Sequence, residues 1–395
     1  MLTNIMKLRE VIVNTASGSD DHTGELAELA RSLATERYAP KAAQWDLDRE
    51  PFPHEERRYL GSLGLLGICL PERFGGSGAP LADALVVIEE LAKECRPAAF
   101  QVFEANTGPA RVLSLLGTEE QQAAILPGVI SGETTMAVAI SEPDAGSAAT
   151  DMSTKAKLAN GAFTVNGRKR WISNGSEADY YFLYARLSDE PGARGVGALI
   201  VEADRPGVSY GASEKLMGFR GIPSADVVFD DVVVPESNLV VRAGDFRKLF
   251  TAFSIERLGN STMSLAIGQA ALDRSIAYVQ ERMQFGKPLI EFQAVQMTIA
   301  DMLLQVQAAR LLIERAAATA GTGLPNSLEV SLAKATANEM AKRVSDLAIQ
   351  LHGGNGYTTE RRVERYWRDA RLTTIFEGTS EIQRRIISDR LLPRS

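Results

Sequence analysis

The sequence predicts an α+β protein in which a helical segment, a β-rich segment and a second helical segment follow one another. Apolar residues recur at three- and four-residue steps within residues 1–133 and again within residues 246–395, which is the period of one helix face. Residues 134–245 instead contain short β-branched and aromatic runs between turns. This order excludes the repeating strand–helix pattern of a doubly wound sheet, and no G-x-G-x-x-G or G-x-x-x-x-G-K-[ST] motif is present.

The first segment is predicted to be helical because its apolar residues follow helix spacing. Residues 81–92 show this spacing clearly, and a further helix is expected over residues 118–130. Between them, the glycines and prolines of residues 71–80 favour turns and interrupt the helical pattern.

The middle segment is predicted to be a small β domain of about 100 residues, within the usual domain size range. Its candidate strands are residues 136–140, 180–185, 197–201 and 227–234. Asn-Gly pairs at 160–161 and 166–167 are strong hairpin signals, so we expect an antiparallel turn at each.

The last segment is predicted to contain two long antiparallel helices, over residues 295–313 and 333–351. Residues 321–327 join them, and Asn326 with Glu329 has the spacing of a capping box. Their narrow apolar seams are interpreted first as core, with a subunit interface as the alternative.

Composition restricts the classes of partner and compartment. The net charge of −7 argues against a nucleic-acid partner, which would need a surplus of Lys and Arg. Cys69 and Cys95 lack metal-site spacing and are expected to be reduced core thiols, so no metal site is predicted.

No apolar run approaches the roughly 20 residues of a membrane span. Lys7 and Arg9 are not followed by a secretory signal pattern, and a cytoplasmic location is expected.

Two segments in the β domain have residue types suited to a ligand. Residues 140–147 place small residues and the hydroxyls of Ser141 and Ser147 directly after a β run, where a ligand can approach closely. Residues 166–175 carry Trp171, whose indole can stack on a flat heteroaromatic ring. For residues 140–147 the alternative is an ordinary turn, and for Trp171 it is a core side chain. Each segment taken alone favours its alternative.

Two further segments lie in the C-terminal region. Arg282, at a helix end before a Gly/Pro loop, suits a diphosphate because its guanidinium offers forked donors, although a solvated helix end is an equal alternative. The glycines at 353, 354 and 356 exceed what a helix end needs. Glu377 follows Ile375 and Phe376, and apolar surroundings raise the pKa of a carboxyl into the range of a general base.

Together these segments resemble the acyl-CoA dehydrogenase family over nearly the whole chain. Six motifs occur in the family's order, at residues 71–78, 141–147, 171–175, 282–286, 353–356 and 376–383. The resemblance implies a helical N-terminal domain (1–133), a middle β-barrel or sandwich domain (134–245) and a C-terminal four-helix bundle (246–395). It also implies a homotetramer, as a dimer of dimers, with bound FAD.

The resemblance further implies which residues contact FAD. Those against the flavin ring and ribityl chain would be Val138, Ile140, Ser141, Ser147, Trp171, Ile172 and Ser173. Those at the diphosphate and adenine end, partly across a subunit boundary, would be Arg282, Gln284, Phe285, Phe292, Gln293, Gln350, Gly353, Gly354, Thr379 and Glu381.

By the same resemblance, the reaction would be α,β-dehydrogenation of an acyl-CoA. Glu377 would take the α-proton while the β-hydrogen leaves as hydride to the flavin, and the electrons would pass to an electron-transferring flavoprotein. The Glu377 N–H and a ribityl hydroxyl would polarise the thioester carbonyl. Ser147 and Arg257 match positions lining the acyl-CoA channel.

Some features leave alternatives open. Ala148 stands where most members have Asp, which resembles the branch containing sulfinopropionyl-CoA desulfinase, an enzyme that lacks the catalytic Glu. Glu256 occupies the position that supplies the base in the isovaleryl-type and long-chain branches, and it is the alternative to Glu377. An acyl carrier protein thioester could replace acyl-CoA. A helical scaffold or CoA-binding protein with a dead site is the alternative outside enzymes.

The helix around Phe100 and Phe103 matches the one that lines the acyl pocket in this family. These rings suggest a bounded apolar pocket, and we do not expect Glu104 to accept a free substrate carboxylate. We therefore expect a short, branched or cyclic acyl group.

Overall fold

The structure, a computed structural model, describes residues 21–392, so Lys7 and Arg9 lie outside the described residues. The chain begins with helices, as the apolar spacing predicts. They are α1 (Asp21–Ser32), a π-helical segment (Leu33–Tyr38), α2 (Ala39–Asp48), α3 (His54–Ser62), α4 (Leu81–Glu94), α5 (Arg96–Asn106), α6 (Pro109–Leu116) and α7 (Glu119–Ser131). Thr118 and Gln121 form a capping box at the start of α7, which fixes where that helix begins.

The middle of the chain forms an eight-stranded sheet with the order β6-β7-β3-β2-β4-β5-β8, and β1 pairs with β4. The strands are β1 (Met136–Ala139), β2 (Lys155–Ala159), β3 (Ala162–Ser173), β4 (Tyr180–Arg186), β5 (Val196–Glu202), β6 (Val208–Tyr210), β7 (Ser224–Pro235) and β8 (Leu239–Val241). Pairing is antiparallel except between β1 and β4 and between β2 and β4.

One of the two predicted hairpin turns is confirmed and the other is wrong. Residues 160–161 connect β2 to the antiparallel β3. Asn166 and Gly167 instead lie inside β3, at a register shift against β7. A Cβ on Gly167 would lie 2.4 Å from Thr154 Oγ1, so this glycine permits a close approach of neighbouring chain segments.

The C-terminal region returns to helix, with a two-stranded ribbon between the first two helices. Its elements are α8 (Phe246–Glu281), β9 (Met283–Gln284), β10 (Lys287–Pro288), α9 (Gln293–Ala318), α10 (Ser327–His352), α11 (Val363–Thr373) and α12 (Ser380–Leu391). Asn326 caps α10 by accepting from the N–H groups of Leu328 and Glu329. The fold class predicted from the sequence is confirmed.

Two apolar cores hold these layers together. One joins the helices of both ends of the chain to one face of β4 and β5, through residues such as Phe182 and Ile200. The other lies inside the β domain, where β4 and β5 turn Tyr181 and Leu199 toward residues of β3 and β7. Because period-two alternation sends neighbouring residues to opposite faces, the same strands serve both cores.

Charged pairs and thiols complete the described structure. On α4, Glu89 accepts from Arg310 of α9 at 2.7 and 2.9 Å, which ties the first helices to the last. Cys69 and Cys95 are free and buried, as predicted. No helix within residues 21–392 is both long and apolar enough to cross a membrane.

Candidate functional site

Three glutamates from distant parts of the sequence lie close enough to interact electrostatically. Glu104 is on α5, Glu256 is on α8, and Glu377 is in the loop between α11 and α12. Each has a buried Oε2 atom without a hydrogen-bond partner in the described part of the chain. Since a buried, unsatisfied carboxyl oxygen is costly, this cluster is a candidate functional site.

Burial is the main cause of the raised pKa values of these three carboxyl groups. It raises the pKa of Glu377 to about 8, although Lys334 and Arg257 oppose the shift. Burial, followed by repulsion from Glu377 and Glu104, raises the pKa of Glu256 well above its usual range. Burial and Glu377 do the same for Glu104. The three carboxyls therefore cannot all be ionised at neutral pH, and one of them can exchange a proton in that range.

The close packing of α5 on α8 brings Glu104 toward Glu256. A Cβ on Gly259, one turn beyond Glu256, would lie 2.6 Å from Phe103 Cδ2 and equally close to Thr107 Oγ1. Any larger residue at Gly259 would separate the two helices.

Glu377 adopts an unusual backbone conformation. Its φ is +55°, and Gly378 follows with φ +87°. A left-handed backbone is uncommon for a glutamate and persists where the surroundings hold it in place. Arg257 Nε donates to the Glu377 carbonyl oxygen at 3.2 Å, which attaches this loop to α8.

Arg257, a predicted substrate-binding residue, is almost fully buried beside the carboxyl cluster. Its guanidinium lies over the rings of Phe250 and Phe253, 4.6 and 4.8 Å from their centroids. Burial lowers the pKa of Arg257 to about 10, against the attraction of Glu377 and Glu256. The group therefore remains a cation at neutral pH, next to the candidate base.

Phe100 and Phe103, also predicted to bind substrate, are buried on the same helix as Glu104. Their rings stack with centroids 5.3 Å apart. They place an apolar wall beside the carboxyl cluster, and their contact with an acyl group stays a prediction.

Residues 138–147 lead from β1 into a loop at the edge of the β domain. Val138, Ile140 and Ser141 are half-buried and Ser147 is exposed, so a ligand can reach them. The Arg170 N–H donates to the Ser141 carbonyl at 2.7 Å, which joins this loop to β3.

A buried ion pair fixes the same loop. Lys169 Nζ donates to Glu142 Oε1 and to the Ile140 carbonyl, each at 2.9 Å. Glu142 also accepts from the N–H groups of Ser153 and Thr154. Burial would raise the pKa of Glu142, but Lys169 and these hydrogen bonds lower it to about 2. The sequence alone does not reveal the pairing of Glu142 with Lys169.

Trp171 is 52% exposed, so its interpretation as a core residue is wrong. Its φ is +62°, and it lies at a register shift of β3 against β7 that turns its side chain out of the alternating pattern. Arg170 lies over its ring at 4.3 Å. Ile172 is buried in the β-domain core, which leaves mainly its backbone for a ligand, and Ser173 is half-buried.

A second site forms where α8 and α10 end. Arg282, Gln284, Gln350, Gly353 and Gly354 line a cavity of about 380 Å³. Side chains at both glycines would meet open space, so their backbones are accessible from the cavity.

The remaining residues predicted to bind the cofactor lie outside that cavity lining. Phe285 is 92% exposed with φ +51°, and its ring lies 6.1 Å from the ring of Phe292. Gln293 begins α9 and is exposed. Thr379 caps α12 by accepting from the Ile382 N–H. Their contacts with a cofactor stay predictions, as does that of the exposed Glu381.

A larger cavity, of about 690 Å³, lies between α9, α10 and α11 and includes Trp367 and Arg371. It contains none of the predicted site residues. Within the described residues, no group of three or more His, Cys, Asp or Glu side chains could hold a metal ion.

The chain offers donors that fit FAD. The exposed Trp171 provides a flat apolar surface for a flavin ring. The Arg282 guanidinium and the open backbone of Gly353 and Gly354 suit a diphosphate.

Family models match the chain in three consecutive parts. They are described as the N-terminal, middle and C-terminal domains of acyl-CoA dehydrogenase and match residues 20–133, 137–232 and 246–392. The fold and the acidic site thus define a flavoprotein oxidoreductase. The chain belongs to the acyl-CoA dehydrogenase family.

Individual relatives align with nearly the full length of this chain. The 3-sulfinopropanoyl-CoA desulfinase of Variovorax paradoxus is 37% identical over 376 residues, 93% of this chain and 94% of that one. Subunit CarC of the caffeyl-CoA reductase-Etf complex of Acetobacterium woodii is 36% identical, with 93% and 98% covered. The structure of butyryl-CoA dehydrogenase from Megasphaera elsdenii has a TM-score of 0.92 and 33% identity, with 95% and 99% covered.

Lys334 and Asn260 are the other residues near the carboxyl cluster that sequence analysis missed. Lys334 is fully buried on α10, and four residues further Asn338 is buried too. Two polar residues at helix spacing beside an apolar seam were the available signal. Asn260, fully buried on α8, lies next to the Glu256–Arg257 pair in a long, almost wholly buried run and carried no such signal.

Proposed function

We propose that this protein is an FAD-dependent enzyme that converts an acyl-CoA thioester to the 2-enoyl-CoA. The observation that carries the proposal is the buried Oε2 of Glu377, which has no hydrogen-bond partner among the described residues and lies on a loop with a left-handed backbone. A carboxyl with a pKa raised to about 8 is suited to remove an α-proton near neutral pH.

The protein's own residues supply the base and the polarising donor. Glu377 takes the α-proton, and its backbone N–H donates to the thioester carbonyl as negative charge develops there. FAD, when bound, supplies the acceptor for the β-hydrogen, which leaves as hydride. Trp171 would orient the flavin ring, and Arg282 with Gly353 and Gly354 would hold the diphosphate.

Glu256 is the alternative base. It is more buried than Glu377 and is subject to repulsion from both other carboxyls, which favours its protonated form. Two cations, Lys334 and Arg257, favour ionisation of Glu377, whereas Arg257 alone opposes the repulsion that acts on Glu256, so we assign the base to Glu377.

A short, branched or cyclic acyl group is supported by the apolar wall of Phe100 and Phe103. Glu104 lies on the same helix, and because burial raises its pKa well above the usual range, its neutral carboxyl offers a substrate carboxylate no counter-charge.

Electron transfer to an electron-transferring flavoprotein is proposed because a relative is named as a subunit of a reductase-Etf complex. A homotetramer is supported by an exposed apolar stripe on α9, formed by Met297, Leu304 and Leu311 at seven-residue spacing. A cytoplasmic location stays a prediction.

The experiment is anaerobic flavin bleaching by a panel of thioesters, with product masses measured. We expect butyryl-, isobutyryl- or ring-bearing CoA to bleach the flavin and give a product lighter by two hydrogens. Faster reaction of glutaryl- or succinyl-CoA would contradict the proposed acyl group. Sulfite release from sulfinopropionyl-CoA, or reaction only with an acyl carrier protein thioester, would identify the alternative reactions. A purified protein that binds no flavin would refute the proposal.

A further inference from the structure

Lys334 is a buried lysine that the proposed chemistry does not yet use. It lies on α10 with 0% exposure and is among the largest fully buried side chains of the described residues. Burying an ammonium is costly unless donors and charges are matched, so its surroundings indicate what it does.

The Lys334 ammonium donates to backbone carbonyls on both sides of Glu377. Nζ lies 3.0 Å from the Phe376 oxygen and 3.0 Å from the Gly378 oxygen, with the Thr373 oxygen at 3.4 Å. The Thr373 carbonyl is at the end of α11, and the other two belong to the loop between α11 and α12. No carboxylate hydrogen bond to this ammonium occurs within the described residues.

Other side chains hold the same loop. Arg257 binds the Glu377 carbonyl at 3.2 Å, and Gln383 Nε2 binds the Gly378 carbonyl at 3.0 Å. Asn338 donates to the Thr373 carbonyl. The three successive carbonyls from Phe376 to Gly378 are therefore all engaged, and the peptide planes that set the φ of Glu377 cannot turn freely.

We propose that Lys334 is a positioning residue, which holds the carbonyls before and after Glu377 and so directs the Glu377 carboxyl toward the substrate. The role rests on the proposed function, in which Glu377 is the base. Without Lys334, the loop loses the one donor among residues 21–392 that binds the carbonyls of both Phe376 and Gly378, and the Glu377 carboxyl samples other directions.

The ammonium also has an electrostatic effect, which the experiment must separate from positioning. The charged or titratable groups facing Glu377 are Glu104 from α5, Glu256 and Arg257 from α8, and Lys334 from α10. Burial lowers the pKa of Lys334 to about 7, against the attraction of Glu377. Where Lys334 is protonated, its charge favours the Glu377 carboxylate, so removing Lys334 raises the pKa of Glu377. Above that pKa, the base is ionised with or without Lys334, and any remaining defect reports position.

The test compares Lys334→Met, which removes charge and donor, with Lys334→Gln, which removes charge but keeps a donor. Lys342→Met is the matched control, because Lys342 lies on the same helix in a surface pair with Glu339. At a pH above the Glu377 transition, we expect kcat of Lys334→Met to be at least about tenfold below wild type, with KM changed less. Lys334→Gln should recover part of kcat, and Lys342→Met should match wild type.

Hydrogen–deuterium exchange of residues 373–383 is measured on the same proteins without substrate. Exchange should accelerate in Lys334→Met, less in Lys334→Gln, and not in Lys342→Met. A kcat of Lys334→Met equal to wild type at high pH, or unchanged exchange, overturns the proposal. If neither Lys334 variant folds, Lys334 is required for folding, and this result would also overturn the positioning proposal. A wild type inactive on every thioester counts against the proposed function, while exchange still tests the loop.

Discussion

Glu377 combines a left-handed backbone with a buried carboxyl oxygen that has no hydrogen-bond partner in the part of the chain that the structure describes. Each feature costs free energy, about 1–3 kcal/mol for a strained backbone conformation alone. Glycine would relieve the first cost and an apolar side chain the second. The presence of a glutamate at a position unfavourable to it therefore indicates a chemical role for the carboxyl.

The raised pKa of Glu377 gives a pH dependence whose sign follows from its role. The base is the carboxylate, so kcat/KM should increase as pH rises through about 8 and then level off. The measurement is kcat/KM for one reactive thioester between about pH 6 and pH 9, since this ratio reports the free enzyme. A ratio that is flat or falls over this range would show that Glu377 ionises far lower or is not the base.

For single residues, the sequence predicted Glu377 as the base and, from the apolar neighbours Ile375 and Phe376, a raised pKa of its carboxyl. It could not predict that Lys334 and Asn260 lie beside the carboxyl, since these contacts join residues more than 40 positions apart in a way that only packing determines. The sequence also favoured a buried Trp171 over an exposed one, because strand alternation alone does not reveal a register shift.

Strand β3 illustrates how one element can both anchor and present a site. Lys169 points inward to the Glu142 ion pair, and two residues later Trp171 points outward at the register shift. The buried pair fixes the loop of residues 140–147 against the strand that carries Trp171. The geometry of the proposed flavin site thus depends on an ion pair that is itself buried.

Glu142→Gln should destabilise the protein because it leaves the Lys169 ammonium buried without a counter-charge. The expected loss is about 3–5 kcal/mol in the free energy of unfolding, measured by urea denaturation. Glu214→Gln is the matched control, since Glu214 pairs with Arg170 at the surface and should cost about 1 kcal/mol or less. Equal losses in the two variants would contradict a structural role for the buried pair.

Element types were largely predictable because apolar spacing and turn residues are local signals. The hairpin at residues 160–161 is confirmed, as are the long helices α9 and α10. The hairpin predicted at Asn166-Gly167 is wrong, because an Asn-Gly pair can also occupy a strand irregularity where a neighbouring chain approaches closely. That distinction depends on Thr154, which is remote in sequence.

Across the whole molecule, the candidate site exists only because three separate segments converge. Glu104, Glu256 and Glu377 come from the N-terminal helices, from α8 and from the loop before α12. The order of helical, β and helical segments predicted the fold class. The convergence itself entered through the resemblance to a family, since no spacing pattern in one sequence reveals which distant acids meet.

The assignment of Glu377 as the base is tested most directly by comparing Glu377→Gln with Glu256→Gln. Each substitution keeps the size of the side chain and removes its ability to take a proton. Glu377→Gln should lower kcat by about 10²–10⁴-fold while still binding flavin and thioester, and Glu256→Gln should remain within about tenfold of wild type. Near-normal turnover by Glu377→Gln, with loss of turnover in Glu256→Gln, would contradict the account.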